Sequence, residues 1–138
     1  MTVVDASVLV KWLTYEADSD RARALFHSTA PLHVPDLALF EVPAALAKKV
    51  HLGLISADEA QALNTLLNEA VGSGILIAHA SLPLMTSALA LSARLQHGLY
   101  DCVYLVLAQM LADRVVTADR KLLGAADRGG FGGLAYML

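Results

Sequence analysis

The sequence predicts a single α/β domain built on a parallel sheet with helices covering both faces. Three observations predict it. Short β-branched runs alternate with longer helical patterns, and strands separated by helices pair in parallel through right-handed crossovers. The strand runs are apolar throughout, as strands buried on both faces must be. The chain has 138 residues, the size of one domain, and residues 1–138 contain no linker, repeat or low-complexity segment to divide them.

The elements follow in order. TVVD at 2–5 is the first strand, and Ala6 to Leu13 follows as a helix. Asp18 or Ser19 caps a helix reaching about His27. Leu32–Val34 reads as a short strand closed by Pro35. Asp36 then caps a long helix to about Leu52, ended by Gly53. Ser56 with Glu59 three residues later is a capping box, so a helix runs from 57 to about 71. Ile75–Ala78 is a strand. Pro83 opens a helix ending near Gly98, a left-handed cap. Asp101 opens the apolar helix DCVYLVLAQMLA, which reaches about Ala112. Val115–Thr117 is a strand, Asp119–Ala126 a short helix, and residues 129–133 a loop before a last strand at Leu134–Met137.

Composition narrows the function. Apolar residues make up 57% and charged residues only 17%, so the chain has ample surface to bury and is not disordered. The same low charge leaves apolar surface over for self-association or a partner. A net charge of -3 excludes a whole-domain basic footprint for nucleic acid, though not a local basic rim. The single cysteine, Cys102, allows neither an internal disulfide nor a cysteine-based zinc site and fits a reducing cytoplasmic setting. Residues 70–93 carry no Asp, Glu, Lys or Arg, but Gly72, Ser73, Gly74, His79, Ser81 and Pro83 punctuate them. They read as a turn, a strand and a helix start, with no membrane span.

Four carboxylates occupy unusual positions. Asp5 ends the first strand, Asp119 lies two residues after VVT, Asp101 begins the most apolar helix, and Glu41 sits inside LALFEVPAALA. Open parallel sheets bind ligands beyond the carboxyl ends of their strands, where Asp5 and Asp119 fall. If Glu41 and Asp101 converge there, the acids share one pocket and repel unless a cation neutralises them. Hard oxygen donors suit Mg2+ or Mn2+, which polarise a phosphate and activate water for in-line attack. Each acid also has a purely structural reading. Asp101 and Asp119 can cap helices, and Asp5 can end a strand by a side-chain turn. Glu41 has the weakest such reading. Ser7 and Thr117 are hydroxyls placed to support a metal site or to satisfy backbone.

VVDASVLVKWL at 3–13, LFEVPAALAK at 39–48, YDCVYLVLA at 100–108 and VVTADRKLL at 115–123 resemble the four blocks of a PIN domain, most closely the VapC-type toxins of bacterial toxin–antitoxin pairs. The blocks occur in family order over essentially the whole chain. The resemblance implies a three-layer α/β/α sandwich and an Mg2+- or Mn2+-dependent endoribonuclease. It carries the catalytic and metal-binding acids onto Asp5, Glu41, Asp101 and Asp119, with Ser7 and Thr117 as supporting hydroxyls. It also implies a homodimer inhibited by a cognate antitoxin. Many relatives have Asn three residues after the glutamate, where this chain has Ala44 following Pro43.

The implied reaction is hydrolysis of an RNA phosphodiester without a histidine base. The five histidines read as packing or surface. Lys11, Lys48 and Arg120 are candidates for an RNA rim, and Lys49, Arg94 and Lys121 lie near them in sequence. Trp12, Tyr15 and Tyr100 are candidate stacking residues, Trp12 fitting core or interface better. One alternative is a PIN fold that only binds RNA or protein. Another is a haloacid-dehalogenase-like phosphatase, disfavoured because its D-x-D motif would need a second Asp where Ser7 stands.

Overall fold

The computed structural model describes residues 2–28 and 30–138. Five parallel strands, β1 (Thr2–Val4), β2 (Leu32–Pro35), β3 (Leu76–His79), β4 (Val115–Thr117) and β5 (Ala135–Met137), form one sheet in the order β3-β2-β1-β4-β5. Seven α-helices are described: α1 (Ala6–Leu13), α2 (Ser19–Phe26), α3 (Ala38–His51), α4 (Ala57–Gly72), α5 (Met85–Leu95), α6 (Leu99–Met110) and α7 (Arg120–Arg128). They flank the sheet. α6 lies on β1, β2 and β4, with α5 against it, while α1 packs on α2 and α3, and α4 on α3 and β3.

The strand order fixes where a site can form. From β1 the chain builds outward through β2 to β3, then crosses back to lay β4 on the other side of β1. The order therefore reverses between β1 and β4. The loops leaving their carboxyl ends diverge there and open a crevice.

The core explains the composition. Val3, Val4, Val34, Val115 and Val116 are fully buried, as strands covered on both faces require. α6 contributes Val103, Tyr104, Leu105 and Leu107 to the same core, so it is buried on nearly all sides. Trp12 stacks flat on Phe26, centroids 4.0 Å apart, and joins α1 to α2; it is a packing residue. The uncharged stretch 70–93 divides into the end of α4, β3, a short 3-10 turn at Leu82–Leu84 and most of α5. Among the described residues no helix is long and apolar enough to cross a membrane.

Local signals held where the chain itself supplies the partner. At Ser56 the hydroxyl accepts from the Glu59 amide and the Glu59 carboxylate accepts from the Ser56 amide, so the capping box forms as read. Gly53 takes φ +70 just beyond α3, a conformation glycine enters at little cost. Three readings need correction. Asp36 does not cap α3: its carboxylate accepts from the Ser81 amide, and the Ser81 hydroxyl accepts from the Leu37 amide. A loop 45 residues away supplies that end of the helix. α5 stops at Leu95 with Gln96, not Gly98, in the left-handed region at φ 51. Asp101 does not open α6; Gly98 is its N-cap and Asp101 lies within the first turn. Pro43 is the sixth residue of α3, beyond the first turn, so it denies the Leu39 carbonyl its helical donor.

Candidate active site

Asp5 stands at the carboxyl end of β1 and is buried. It is the N-cap residue of α1 in an extended conformation, yet its side chain makes no capping bond. The side chain turns across the sheet instead. Its Oδ2 accepts from the Ser7 hydroxyl and, at 2.7 Å, from the Thr117 hydroxyl at the end of β4. Both hydroxyls also accept from the loop that follows β4: Ser7 from the Ala118 amide at 3.0 Å, and Thr117 from the Asp119 amide at 2.9 Å. They therefore bind Asp5 to the β4–α7 loop at the point where the strand order reverses.

The other acids are each held by one oxygen. Glu41, in the first turn of α3, accepts at Oε1 from the hydroxyl of Tyr104, 2.7 Å away on α6. Asp101 accepts at Oδ2 from Nε2 of His97, 2.7 Å away in the turn leading into α6. Asp119 accepts at Oδ1 from the Lys121 amide and caps α7, so it does serve as a helix cap. Glu41 Oε2, Asp101 Oδ1 and Asp119 Oδ2 have no hydrogen-bond partner among the described residues.

Electrostatics ties the acids to one another. Burial pushes the Asp5 carboxyl above the ordinary carboxylate range; the two hydroxyls oppose this, and the charge of Asp101 adds to it. Burial likewise raises Glu41, with Tyr104 opposing and the charges of Asp5 and Asp101 adding. Asp101 is raised by burial against the pull of His97, and the charge of Asp119 adds a further push. Asp5, Glu41 and Asp101 thus sense one another, and Asp119 joins through Asp101 and the Thr117 hydroxyl. As the side chains are placed, no three His, Cys, Asp or Glu residues among those described stand close enough to hold one ion. The donor chemistry nevertheless fits a hard divalent cation. The set is all oxygen, its charges repel, and three acids keep an oxygen without a donor among the described residues.

Sequence reasoning missed two of these contacts. His97 is not simple packing or surface; it binds a site acid. An i, i+4 spacing to Asp101 was the available signal. Tyr104 looked like one more apolar residue of α6, and nothing local shows that its hydroxyl reaches a residue 63 positions earlier. Among the rim candidates, Lys11 is committed to the Ala17 carbonyl and to Glu16, whereas Lys48 and Arg120 are exposed. Ala44 is exposed on α3. Cys102, beside Asp101, is buried with its thiol pushed up to about 11, so it is no nucleophile at neutral pH.

The PIN domain family matches residues 2–128. The chain belongs to the PIN-domain family. Within it, this PIN domain is 34% identical over 122 residues to a protein named Ribonuclease VapC3 from Pyrobaculum aerophilum, covering 87% of this chain and 90% of that one. Its fold is similar to the crystal structure of PAE2754 from Pyrobaculum aerophilum, with a TM-score of 0.71 at 23% identity over 99% of this chain and 89% of that one. It is also similar to the crystal structure of FitAcB from Neisseria gonorrhoeae, with a TM-score of 0.58 at 15% identity over 92% and 94% of the two chains. Both likenesses carry the fold. The PIN match removes the dehalogenase-like alternative. Ser7, at the position of that family's second Asp, spends its hydroxyl on Asp5.

Proposed function

We propose that this PIN domain is a metal-dependent endoribonuclease, the toxin of a VapC-type toxin–antitoxin pair. The observation that carries the reading is its 34% identity to a ribonuclease across nearly the whole chain. The charge-coupled acids beyond β1 and β4 supply the chemistry. Asp5, Glu41, Asp101 and Asp119 would hold Mg2+ or Mn2+, with some side-chain movement to close on the ion. Bound there, the cation supplies Lewis-acid polarisation of the phosphate and acidifies water. Ser7 and Thr117 orient Asp5, and His97 orients Asp101. Lys48 and Arg120 offer positive charge to an RNA backbone that the acids alone would repel.

Partners follow from the surface. Phe40, Leu82 and Leu89 are exposed at 74%, 83% and 62%, apolar area that fits a homodimer in the cytoplasm. Of the apolar residues near the first helices, Leu9, Leu13 and Leu46 fill the core, whereas Trp12, Leu25, Phe26 and Leu37 are half-buried. A groove of about 570 Å³ between α1, α3 and α4, lined by Leu13, Leu54, Ile55 and Leu63, fits an apolar segment of an antitoxin.

The test is cleavage of a pool of RNA oligonucleotides with Mg2+, with Mn2+ and with a chelator. Metal-dependent cutting lost in Asp5→Asn is expected. Tight RNA binding without cutting in either metal would leave a binding module instead.

A further inference from the structure

We infer that Tyr104 is a positioning residue for Glu41: its phenol holds one carboxylate oxygen and leaves the other for the metal and substrate. The inference rests on the reading of Glu41 as a metal-site acid.

Tyr104 is fully buried and is the largest such side chain among the described residues. Its hydroxyl needs a partner there, and a backbone carbonyl would serve. It donates instead to Glu41 Oε1 at 2.7 Å, a carboxylate already burdened by the charges of Asp5 and Asp101. Placing a buried phenol on a carboxylate at this spot makes sense if the carboxylate has to be aimed.

Glu41 has three rotatable side-chain bonds, and α3 provides it no other polar anchor. One fixed oxygen removes that freedom and splits the carboxylate into an anchored and a free end. Asp101 is treated the same way, with His97 on Oδ2 and no donor to Oδ1 among the described residues. Tyr104 also lies three residues after Asp101, on the same side of α6. One rigid helix therefore sets both acids, Asp101 directly and Glu41 through the phenol. Partners of ligating carboxylates act in this way in metal sites generally.

The experiment is a Mn2+ titration by calorimetry on metal-stripped full-length protein, for wild type, Tyr104→Phe, Glu41→Gln and the double variant. Tyr104→Phe should weaken Mn2+ binding about 10-fold. That loss should disappear in the Glu41→Gln background, because the phenol acts through the carboxylate. Wild-type affinity in Tyr104→Phe overturns the inference, and so does an equal loss persisting beside Glu41→Gln, which marks a general structural role. If Glu41→Gln alone binds Mn2+ like wild type, the reading of Glu41 itself fails. Should Tyr104→Phe melt below the assay temperature, tyrosine difference absorbance is followed as Mn2+ is added to wild type and Glu41→Gln. A change confined to wild type is expected, and its absence there overturns the inference.

Discussion

Replacing Asp5 with Asn should stabilise the metal-free protein while abolishing cleavage. Asp5 is only 6% exposed, and its carboxyl is raised by burial and by Asp101 even after two hydroxyls donate to it. Burial outweighs those hydrogen bonds, so folding disfavours the ionised form relative to the unfolded chain. Asn is neutral, and its Oδ1 can still accept from Ser7 and Thr117. A gain in stability is expected, read as a rise in Tm of roughly 3 °C for each kcal/mol in a domain of this size. The sign against pH follows from proton binding. A raised native pKa means the folded state binds more protons, so the Asp5 contribution falls as pH rises from the ordinary carboxylate value towards the native one. The difference between Asp5→Asn and wild type should therefore be near zero in acid and reach its full size above the native pKa. Urea melts of both proteins from pH 4 to pH 8, with chelator, measure this. An Asn variant less stable than wild type at pH 7 would refute the claim that the charge is a burden in the apo fold.

Three other outcomes are expected. His33 is buried, shares one hydrogen bond of 2.8 Å with His79, and leaves Nε2 without a partner among the described residues; burial and the His79 charge hold its pKa below the ordinary value. The unfolded chain then binds the extra proton first, so stability is lost as pH falls below about 6.5. His33→Phe should flatten that limb of the urea midpoint curve, and an unchanged slope would count against the pair. Thr117→Val leaves the Asp119 amide without its acceptor and removes a donor from Asp5, so thermal melts should show a loss of about 1–3 kcal/mol. Ser56→Ala should cost about 1 kcal/mol through the lost capping box and leave RNA cleavage untouched; impaired cleavage would connect α4 to the site.

Much of the fold was legible because its signals are local. β-branched runs marked the strands, and the Ser56–Glu59 pair and Gly53 marked helix ends using neighbours a few residues away. The errors arose where a distant group took over. Asp36 failed as a cap because Ser81 competes for it across the sheet edge. Gln96 took the left-handed position predicted for Gly98, which shifted the start of α6 and moved Asp101 from cap to inward-facing acid.

The site divides along the same line. Sequence alone placed four acids at strand ends and helix starts, because an acid within an apolar run has few structural uses. It also placed Ser7 and Thr117 beside them. Only tertiary structure could show that the strand order reverses between β1 and β4, since pairing partners are chosen by packing of the whole sheet. That reversal puts the Thr117 hydroxyl on Asp5 across 112 residues of chain and lets a buried tyrosine of α6 reach Glu41. A carboxylate's surroundings depend on which distant chains fold over it, and its charge state and aim follow from those surroundings.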